Sequence, residues 1–167
     1  MLPGEEGLTQ AFDDFMIQTE SGQLDAEATS HGLFSYILTK RQRSEIKKVC
    51  NENQWVDPEE KGITLTKDYF EHVLNQRKVK DKVTAKDCST ILASAYSKKS
   101  KVAINKPRFK GDRERDQQAL IFNAEESIRV GNSNGLYGVA IIEISIKNLS
   151  PVTAYHATRP KVTAFGR

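Results

Sequence analysis

The sequence is poor in the residues that build metal and disulfide sites. Among its 167 residues there are only two cysteines, Cys50 and Cys88, and only three histidines. The cysteines show no C-x-x-C spacing and the histidines show no H-x-x-x-H spacing, so neither a zinc site nor a thioredoxin-like redox site is predicted. We therefore expect no metal, no cofactor and two reduced structural thiols.

Long hydrophobic runs are also missing. No stretch approaches the roughly 18 consecutive apolar residues of a transmembrane helix, so we expect no membrane insertion. The first ten residues, MLPGEEGLTQ, lack the basic and apolar regions of a secretory signal peptide. With 38% hydrophobic residues, 10 Gly and 5 Pro, the composition is that of a globular domain with a hydrophobic core.

Charge is unevenly divided along the chain. Residues 1–60 carry 5 Lys and Arg against 12 Asp and Glu, a net charge of −7, whereas residues 61–167 carry 20 against 10, a net charge of +10. The change coincides with WVDPEEKG, where Pro58 and Gly62 interrupt the chain. We predict an acidic helical segment over residues 1–60, separable by proteolysis, and a basic α+β domain over residues 61–167.

Four helices are predicted from apolar periodicity and capping residues. One spans residues 8–19, and a second runs from near Ser30 to about Cys50. In the basic domain, Thr66 is the predicted N-cap of the helix in ITLTKDYFEHVLNQR. Thr84 begins the next helix, in TAKDCSTILASAYS, and has a capping-box spacing to Asp87.

The character of the sequence then changes to short segments rich in β-branched residues. These segments are VAIN, QQALIFN, SIRV, YGVAIIEIS and PVTAYHA, and residues typical of turns separate them. Helices followed by strands predict an α+β fold, with a helix pair packed on a four- to five-stranded antiparallel sheet. The most continuously apolar segment, YGVAIIEI, is the predicted central strand.

Two of the three histidines are candidates for proton transfer. His72 lies in a predicted helix, and His156 lies in the terminal predicted strand, where we expect an exposed face at the mouth of a basic cleft. Cleavage of RNA through its 2′-hydroxyl needs a base, an acid and cations that stabilise charge on the phosphate. Imidazole, with an ordinary pKa of about 6.5, can fill either proton role near neutral pH. The alternative is two unrelated surface histidines.

The expected side-chain directions of three further residues decide whether they can share a site with a histidine. At 100° per residue, Arg77 projects into the apolar face of its helix, so its guanidinium is expected to be paired, aimed into a site, or extended toward solvent. The period of two in the terminal strand puts Thr153 and Tyr155 on one face and His156 on the other. A bulge or bend near His156 would bring Thr153 and His156 together.

Basic residues cluster before the strands and again after His156. Residues 96–115 carry eight cations and two acids, interleaved with Tyr96 and Phe109, a pattern typical of surfaces that follow a phosphate backbone. The alternative is a solvated basic loop with no ligand. RNA contacts are predicted for seven basic residues, which are Lys98, Lys99, Lys101, Lys106, Arg108, Arg159 and Lys161.

These features resemble the barnase/EndoU/colicin/RelE-like ribonucleases, a superfamily common among toxin domains of bacterial contact-dependent inhibition systems and phage polymorphic toxins. The resemblance covers residues 61–167 and rests on ITLTKDYFEHVLNQR and PVTAYH. It implies that the two histidines act as acid and base, that an arginine and a loop lysine stabilise the phosphate, and that a threonine and a tyrosine position RNA. The implied catalytic set is His72, Arg77, Thr153, Tyr155 and His156.

The resemblance further implies a metal-independent endoribonuclease toxin that acts on RNA, with tRNA among the candidate substrates. It would act in the cytoplasm of a target bacterial cell, be delivered as part of a larger secreted protein, and be neutralised by a cognate acidic immunity protein. A non-enzymatic nucleic-acid-binding or protein-interaction module remains the alternative, because the charge asymmetry fits it equally well.

Overall fold

The computed structural model describes five stretches of the chain, which are residues 4–22, 34–105, 118–124, 126–145 and 148–163. Within these stretches the architecture is α+β, with helices packed on an antiparallel five-stranded sheet and a separate two-stranded sheet beside it. The predicted fold class is therefore confirmed. Two of the predicted RNA-binding residues, Lys106 and Arg108, lie outside the described residues.

The elements before residue 60 are two helices and a strand. They are α1 (Gly4–Ser21), β1 (Phe34–Ile37) and α2 (Lys40–Asn53). The predicted first helix is present and is longer than expected. At the start of α2, Thr39 caps the helix by accepting a hydrogen bond from the Gln42 backbone N–H at 3.0 Å.

The prediction of helix from Ser30 to Cys50 was wrong for the residues of β1. Tyr36 and Leu38 are buried, whereas Ser35 and Ile37 are exposed, which is the period of two of a strand. The strand pairs antiparallel with β2 (Gly62–Leu65), a partner 25 or more residues away. Local periodicity could not reveal that pairing, because the hydrogen bonds of β1 go to a distant segment.

The predicted helix pair is present with its predicted caps. These helices are α3 (Lys67–Asp81) and α4 (Ala85–Ala95). Thr66 accepts a hydrogen bond from the Tyr69 backbone N–H at 3.3 Å, and Thr84 forms a capping box with Asp87. Each of these bonds satisfies a backbone donor that the first turn of a helix leaves unpaired.

The strands of the main sheet are β3 (Lys101–Ile104), β4 (Ala119–Asn123), β5 (Ile128–Val130), β6 (Ser133–Ser145) and β7 (Asn148–Thr158). The long strand β6 is central, as predicted. Strands β4 and β5 pair along one edge of β6, β7 pairs along the other edge, and β3 pairs with β4; all of these pairings are antiparallel. A short helix, α5 (Arg159–Thr163), follows β7 directly.

The two faces of the main sheet differ. Helices α3 and α4 cover one face, hereafter the helix-covered face, where Phe122, Ile142 and Ala154 are fully buried in the core. The opposite face, hereafter the outer face, carries a smaller buried cluster of Ile121, Val139 and Ala157, against which Val162 of α5 packs. The alternation along each strand assigns every side chain to one face or the other.

Gly138 permits the close approach of α4 to the sheet. A Cβ at this position would lie 2.6 Å from the carbonyl oxygen of Ile91 and 2.7 Å from Cβ of Ser94. Gly138 is the register partner of His156 in β7. The absence of a side chain at residue 138 therefore lets α4 lie directly against the sheet beside the strand that carries His156.

The hydrophobic core crosses the predicted boundary near residue 60. Phe12 and Met16 of α1 are fully buried in the same cluster as Phe70 and Tyr96 of the basic half. The rings of Phe12 and Tyr96 are stacked, with centroids 6.0 Å apart. Burial of each such side chain contributes about 1.5–3 kcal/mol, so the change of charge at WVDPEEKG does not divide the core.

The cysteines are structural and unpaired. Cys50 and Cys88 are buried and free, and burial raises the pKa of the Cys50 thiol to about 11 and that of the Cys88 thiol to about 12. Neither thiol is ionised near neutral pH. No helix in the described ranges combines the length and the apolar character that crossing a bilayer requires.

Candidate functional site

His156 lies on the helix-covered face of β7. Its Cα is the partner of Gly138, and its neighbours Tyr155 and Ala157 point to the outer face. The His156 side chain is 22% exposed, so it lies in a partly closed space beside α3 and α4. This differs from the exposed strand face expected from sequence, because the helices cover the face that the period of two assigns to residue 156.

An ion pair from α3 borders this space. Nη1 of Arg77 donates to Oδ2 of Asp81 at 2.5 Å, and the Arg77 side chain is 11% exposed. Nδ1 of His156 lies 3.9 Å from the same carboxylate oxygen, which is beyond hydrogen-bond distance. Arg77 is thus paired, one of the outcomes expected for it, and it lies beside His156. Arg77, Asp81 and His156 are hereafter the His156 cluster.

Two nitrogen atoms of the His156 cluster are unsatisfied. Nδ1 of His156 and Nε of Arg77 are buried and have no hydrogen-bond partner among the described residues. A buried polar group left unpaired costs about 1–3 kcal/mol.

A second carboxylate, Asp87, acts on His156 from the first turn of α4. Its Oδ1 accepts the Gly131 backbone N–H at 3.1 Å, and its Oδ2 accepts the Thr84 backbone N–H at 3.2 Å. Burial raises the pKa of Asp87, but these hydrogen bonds and the nearby His156 outweigh burial and hold the pKa below its ordinary value. Asp87 thereby fixes the β5–β6 turn to α4 and adds negative potential at the cluster.

The second candidate histidine, His72, is not part of this cluster. It is exposed on α3, nine residues before Asp81. Nine residues correspond to about 13 Å along the helix axis and a rotation of about 180°. His72 therefore projects from the side of α3 opposite Asp81, and the fold does not bring the two candidate histidines together.

Thr153 and Tyr155 also lie apart from His156. The β-bulge in β7 falls where Ile141 pairs with Thr153 and Ile142 pairs with Pro151, which leaves Val152 as the extra residue. From Thr153 onward the register is regular. Thr153 and Tyr155 therefore face outward while His156 faces the helices, because the bulge lies before all three residues rather than between them.

The outer face holds a groove of about 550 Å³, hereafter the outer groove. Across its floor, Lys101, Asn123, Val139 and Tyr155 are direct register partners on four adjacent strands. The groove is lined by residues of β3, β4, β6 and α5, namely Lys101, Val102, Ala103, Asn123, Tyr137, Arg159, Val162 and Thr163. Beside this row, Nζ of Lys161 lies 4.9 Å from the centroid of the Tyr155 ring.

The loop before β3 carries the other predicted RNA-binding lysines. Lys98 is exposed, and Nζ of Lys99 forms an ion pair with Glu126 at 2.6 Å. The loop is held by buried Gln42 of α2, whose Nε2 donates to the carbonyl oxygens of Ser97 at 2.8 Å and Ser100 at 3.1 Å. Of the lysines in this segment, Lys101 is the one that lines the outer groove.

Sequence reasoning missed four residues of these two sites. Asp81 could have been found, because it stands four residues after Arg77, the spacing of a helical ion pair. Asp87 was identified as a capping residue, but its bond to Gly131 depends on the tertiary fold. Asn123 and Tyr137 gave no usable signal, because strand pairing alone places them beside Lys101 and Arg159.

Among the described residues, no group of three or more His, Cys, Asp or Glu side chains is arranged so that it could hold a metal ion. Comparison with known proteins adds no assignment: no protein-family model matches the chain, and searches of curated proteins and of solved structures return no significant match. What bears on function is therefore the geometry of the His156 cluster and of the outer groove.

Proposed function

We propose that the protein is a metal-independent endoribonuclease that cleaves RNA through its 2′-hydroxyl, with His156 as the proton carrier. One observation carries the proposal: Nδ1 of His156 faces Asp81 beside the guanidinium of Arg77. The Asp81 carboxylate, 3.9 Å from Nδ1, borders the imidazole on that side, which leaves the other ring nitrogen for substrate.

The proposed step is an internal displacement at phosphorus. The 2′-oxygen forms a bond to phosphorus, its proton passes to Nε2 of His156, and the bond from phosphorus to the 5′-oxygen breaks. The leaving 5′-oxygen takes a proton from water, and the product strand ends in a 2′,3′-cyclic phosphate. Approach of the scissile phosphate to Arg77 would stabilise the charge that develops on its oxygens.

Cations beside the cluster support an anionic substrate. Lys80 and Lys82 flank Asp81 in sequence, and both are exposed at the end of α3. Their charge attracts a polyanion and contributes affinity through release of counterions. An acidic immunity protein would be attracted to the same surface, and we propose such a partner for a toxin that acts in the cytoplasm of a target bacterial cell.

The decisive experiment is incubation of the full chain with labelled RNA in excess EDTA. We expect cleavage and a 2′,3′-cyclic phosphate terminus, with no cleavage of a DNA strand of the same sequence, because DNA lacks the nucleophile. Intact RNA after prolonged incubation with properly folded protein would overturn the proposal. Cleavage that stops on addition of EDTA would overturn the metal-independent mechanism.

A second candidate function is nucleic-acid binding without cleavage. It is favoured by the outer groove, whose cations and tyrosines lie on the opposite face of β7 from His156. Retention of intact RNA by the wild-type chain in EDTA would support this function and exclude the metal-independent ribonuclease proposed above.

A further inference from the structure

The outer groove has an arrangement of side chains that the proposed catalysis at His156 does not use. Its lining includes the apolar side chains of Val102, Ala103 and Val162. Tyr137 and Asn123 also line it, and both are partly buried. A groove that combines apolar side chains, an aromatic ring and an amide side chain suits a planar group with polar edges.

Cations lie at both sides of the groove. Lys101 is on the edge strand β3, and Arg159 begins α5 beyond the opposite strand β7. Four strands separated by about 4.8 Å place the two ends of the floor about 14 Å apart. Glu143, the acidic residue on β6, pairs with Ala119 and so lies four register positions from the row that contains Lys101. The charge of the groove is therefore complementary to an extended polyanion.

One groove residue has an unsatisfied acceptor. Oδ1 of Asn123 is buried and has no hydrogen-bond partner among the described residues. Buried acceptors in folded proteins almost always find a donor, and no described residue supplies one to Asn123. The ring N–H and amino groups on the edges of nucleobases are donors of this kind, and the Asn side chain can pair with a base edge.

The geometry points to a binding site for single-stranded RNA in the outer groove. A base stacks on Tyr137, Asn123 binds the edge of that base, and Lys101 and Arg159 bind the flanking phosphates. This inference rests on the proposed function for its choice of RNA as the ligand. It adds that substrate is held on the face of β7 opposite His156, so the strand passes around the edge of β7 to reach the His156 cluster.

Binding is tested without cleavage by using DNA that lacks the 2′-hydroxyl. The probe is a fluorescently labelled oligothymidylate of about ten nucleotides, titrated with the full chain at several salt concentrations. We expect Tyr137→Leu to weaken binding about tenfold without changing the salt dependence, because it removes stacking and no charge. Tyr137→Phe keeps the ring and should bind like the wild type.

Charge is tested separately with a matched pair of reversals. Arg159→Glu should weaken binding and lower the salt slope by about one for each lost phosphate contact. Lys67→Glu makes a comparable change of charge at the start of α3, on the other side of the main sheet, where Lys67 is 36% exposed, and should leave binding unchanged. Heparin, a polyanion without bases, should bind equally to the wild type and to Tyr137→Leu.

The outcomes separate this inference from the proposed function. If Tyr137→Leu binds oligothymidylate with wild-type affinity, the proposed binding site in the outer groove is wrong, whether or not the protein cuts RNA. The same conclusion follows if Tyr137→Leu loses as much affinity for heparin as for oligothymidylate. If affinity depends on Tyr137 but the protein leaves RNA intact, the binding site in the outer groove is supported and the ribonuclease proposal is wrong. Thermal unfolding of each variant ensures that only folded protein is compared.

Discussion

On the helix-covered face of the main sheet, His156 lies 22% exposed beside the ion pair of Arg77 and Asp81. On the outer face, its neighbour Tyr155 contacts Lys161 next to a groove of about 550 Å³. The two residues are adjacent in sequence, yet one is in a partly closed space among carboxylates and the other is at a basic surface. The alternation of strand side chains produces this difference.

This comparison separates two environments that the proposed RNA cleavage would use in different ways. The covered face supplies a partly enclosed imidazole beside a carboxylate and a guanidinium, the arrangement proposed for proton transfer. The outer face supplies area, aromatic rings and cations, which favour binding along a strand. A site that needs both properties can obtain them from one β-strand, because each face of the strand is packed differently.

The largest expected effect is on the covered face. His156→Ala should reduce metal-independent RNA cleavage by roughly 10²–10⁴-fold, the usual contribution of general acid–base catalysis. The measurement is the initial rate of cleavage of labelled RNA in EDTA. The matched variant His72→Ala should retain cleavage, because His72 projects from the opposite side of α3. Equal losses in both variants would restore a two-histidine mechanism and contradict the separation of the two residues.

The next largest effect is on stability, and it tests how closely α4 packs on the sheet at Gly138. Gly138→Ala should destabilise the protein by about 1–3 kcal/mol, because the added Cβ meets the Ile91 carbonyl oxygen at 2.6 Å. Tyr137→Phe, one residue earlier and facing the outer groove, should change the free energy of unfolding by less than about 0.5 kcal/mol. Urea denaturation of both variants provides the comparison. Similar stabilities would show that the covered face is no tighter than the outer face.

The lysines of the basic segment test the extent of the outer groove. Lys101→Glu should weaken RNA binding and reduce the salt slope by about one, because Lys101 lines the groove. Lys99→Glu should have a smaller effect, since Lys99 is paired with Glu126. Filter binding or anisotropy at several salt concentrations measures both slopes. A larger effect at Lys99 would move the RNA path away from the outer face and toward the loop before β3.

The smallest effect concerns pH and the covered face. The folded-state pKa of Asp87 lies below its unfolded value of about 3.9, so the ionised carboxylate stabilises the fold above that value. This stability is lost as pH falls through the lower, folded-state pKa. Asp87→Asn should therefore lose less stability than the wild type between about pH 5 and about pH 2. Urea midpoints across this range measure the difference, and identical pH profiles would contradict the role of Asp87.

Much of the fold could be predicted, and particular elements show why. The caps Thr66 and Thr84 identified α3 and α4 because capping is local chemistry between residues three positions apart. The long apolar run in β6 identified the central strand because a strand paired on both edges is shielded from water. Strand β1 was missed because its partner β2 is far away in sequence. The shared core was missed because charge, which changes at residue 60, reports surface and not burial.

The candidate site was less predictable. His156 and Arg77 were identified as chemical groups, but their shared neighbour Asp81 was not. The pairing of His72 with His156 was expected from residue type, and helix rotation separates the two. Tyr137 and Asn123 were not singled out, because neither carries a charge nor interrupts the strand pattern.

The sequence by itself determined which segments are helices capped by threonine, which residues alternate along β7, and that cations concentrate in the basic half. These are properties of neighbouring residues, governed by local hydrogen bonds and by the periods of helix and strand. Only the tertiary structure decided which face of the main sheet the helices cover, and so which of Tyr155 and His156 is enclosed. That choice depends on the burial of apolar side chains throughout the core and on the close approach of α4 to the sheet at Gly138. No short stretch of the sequence contains either property.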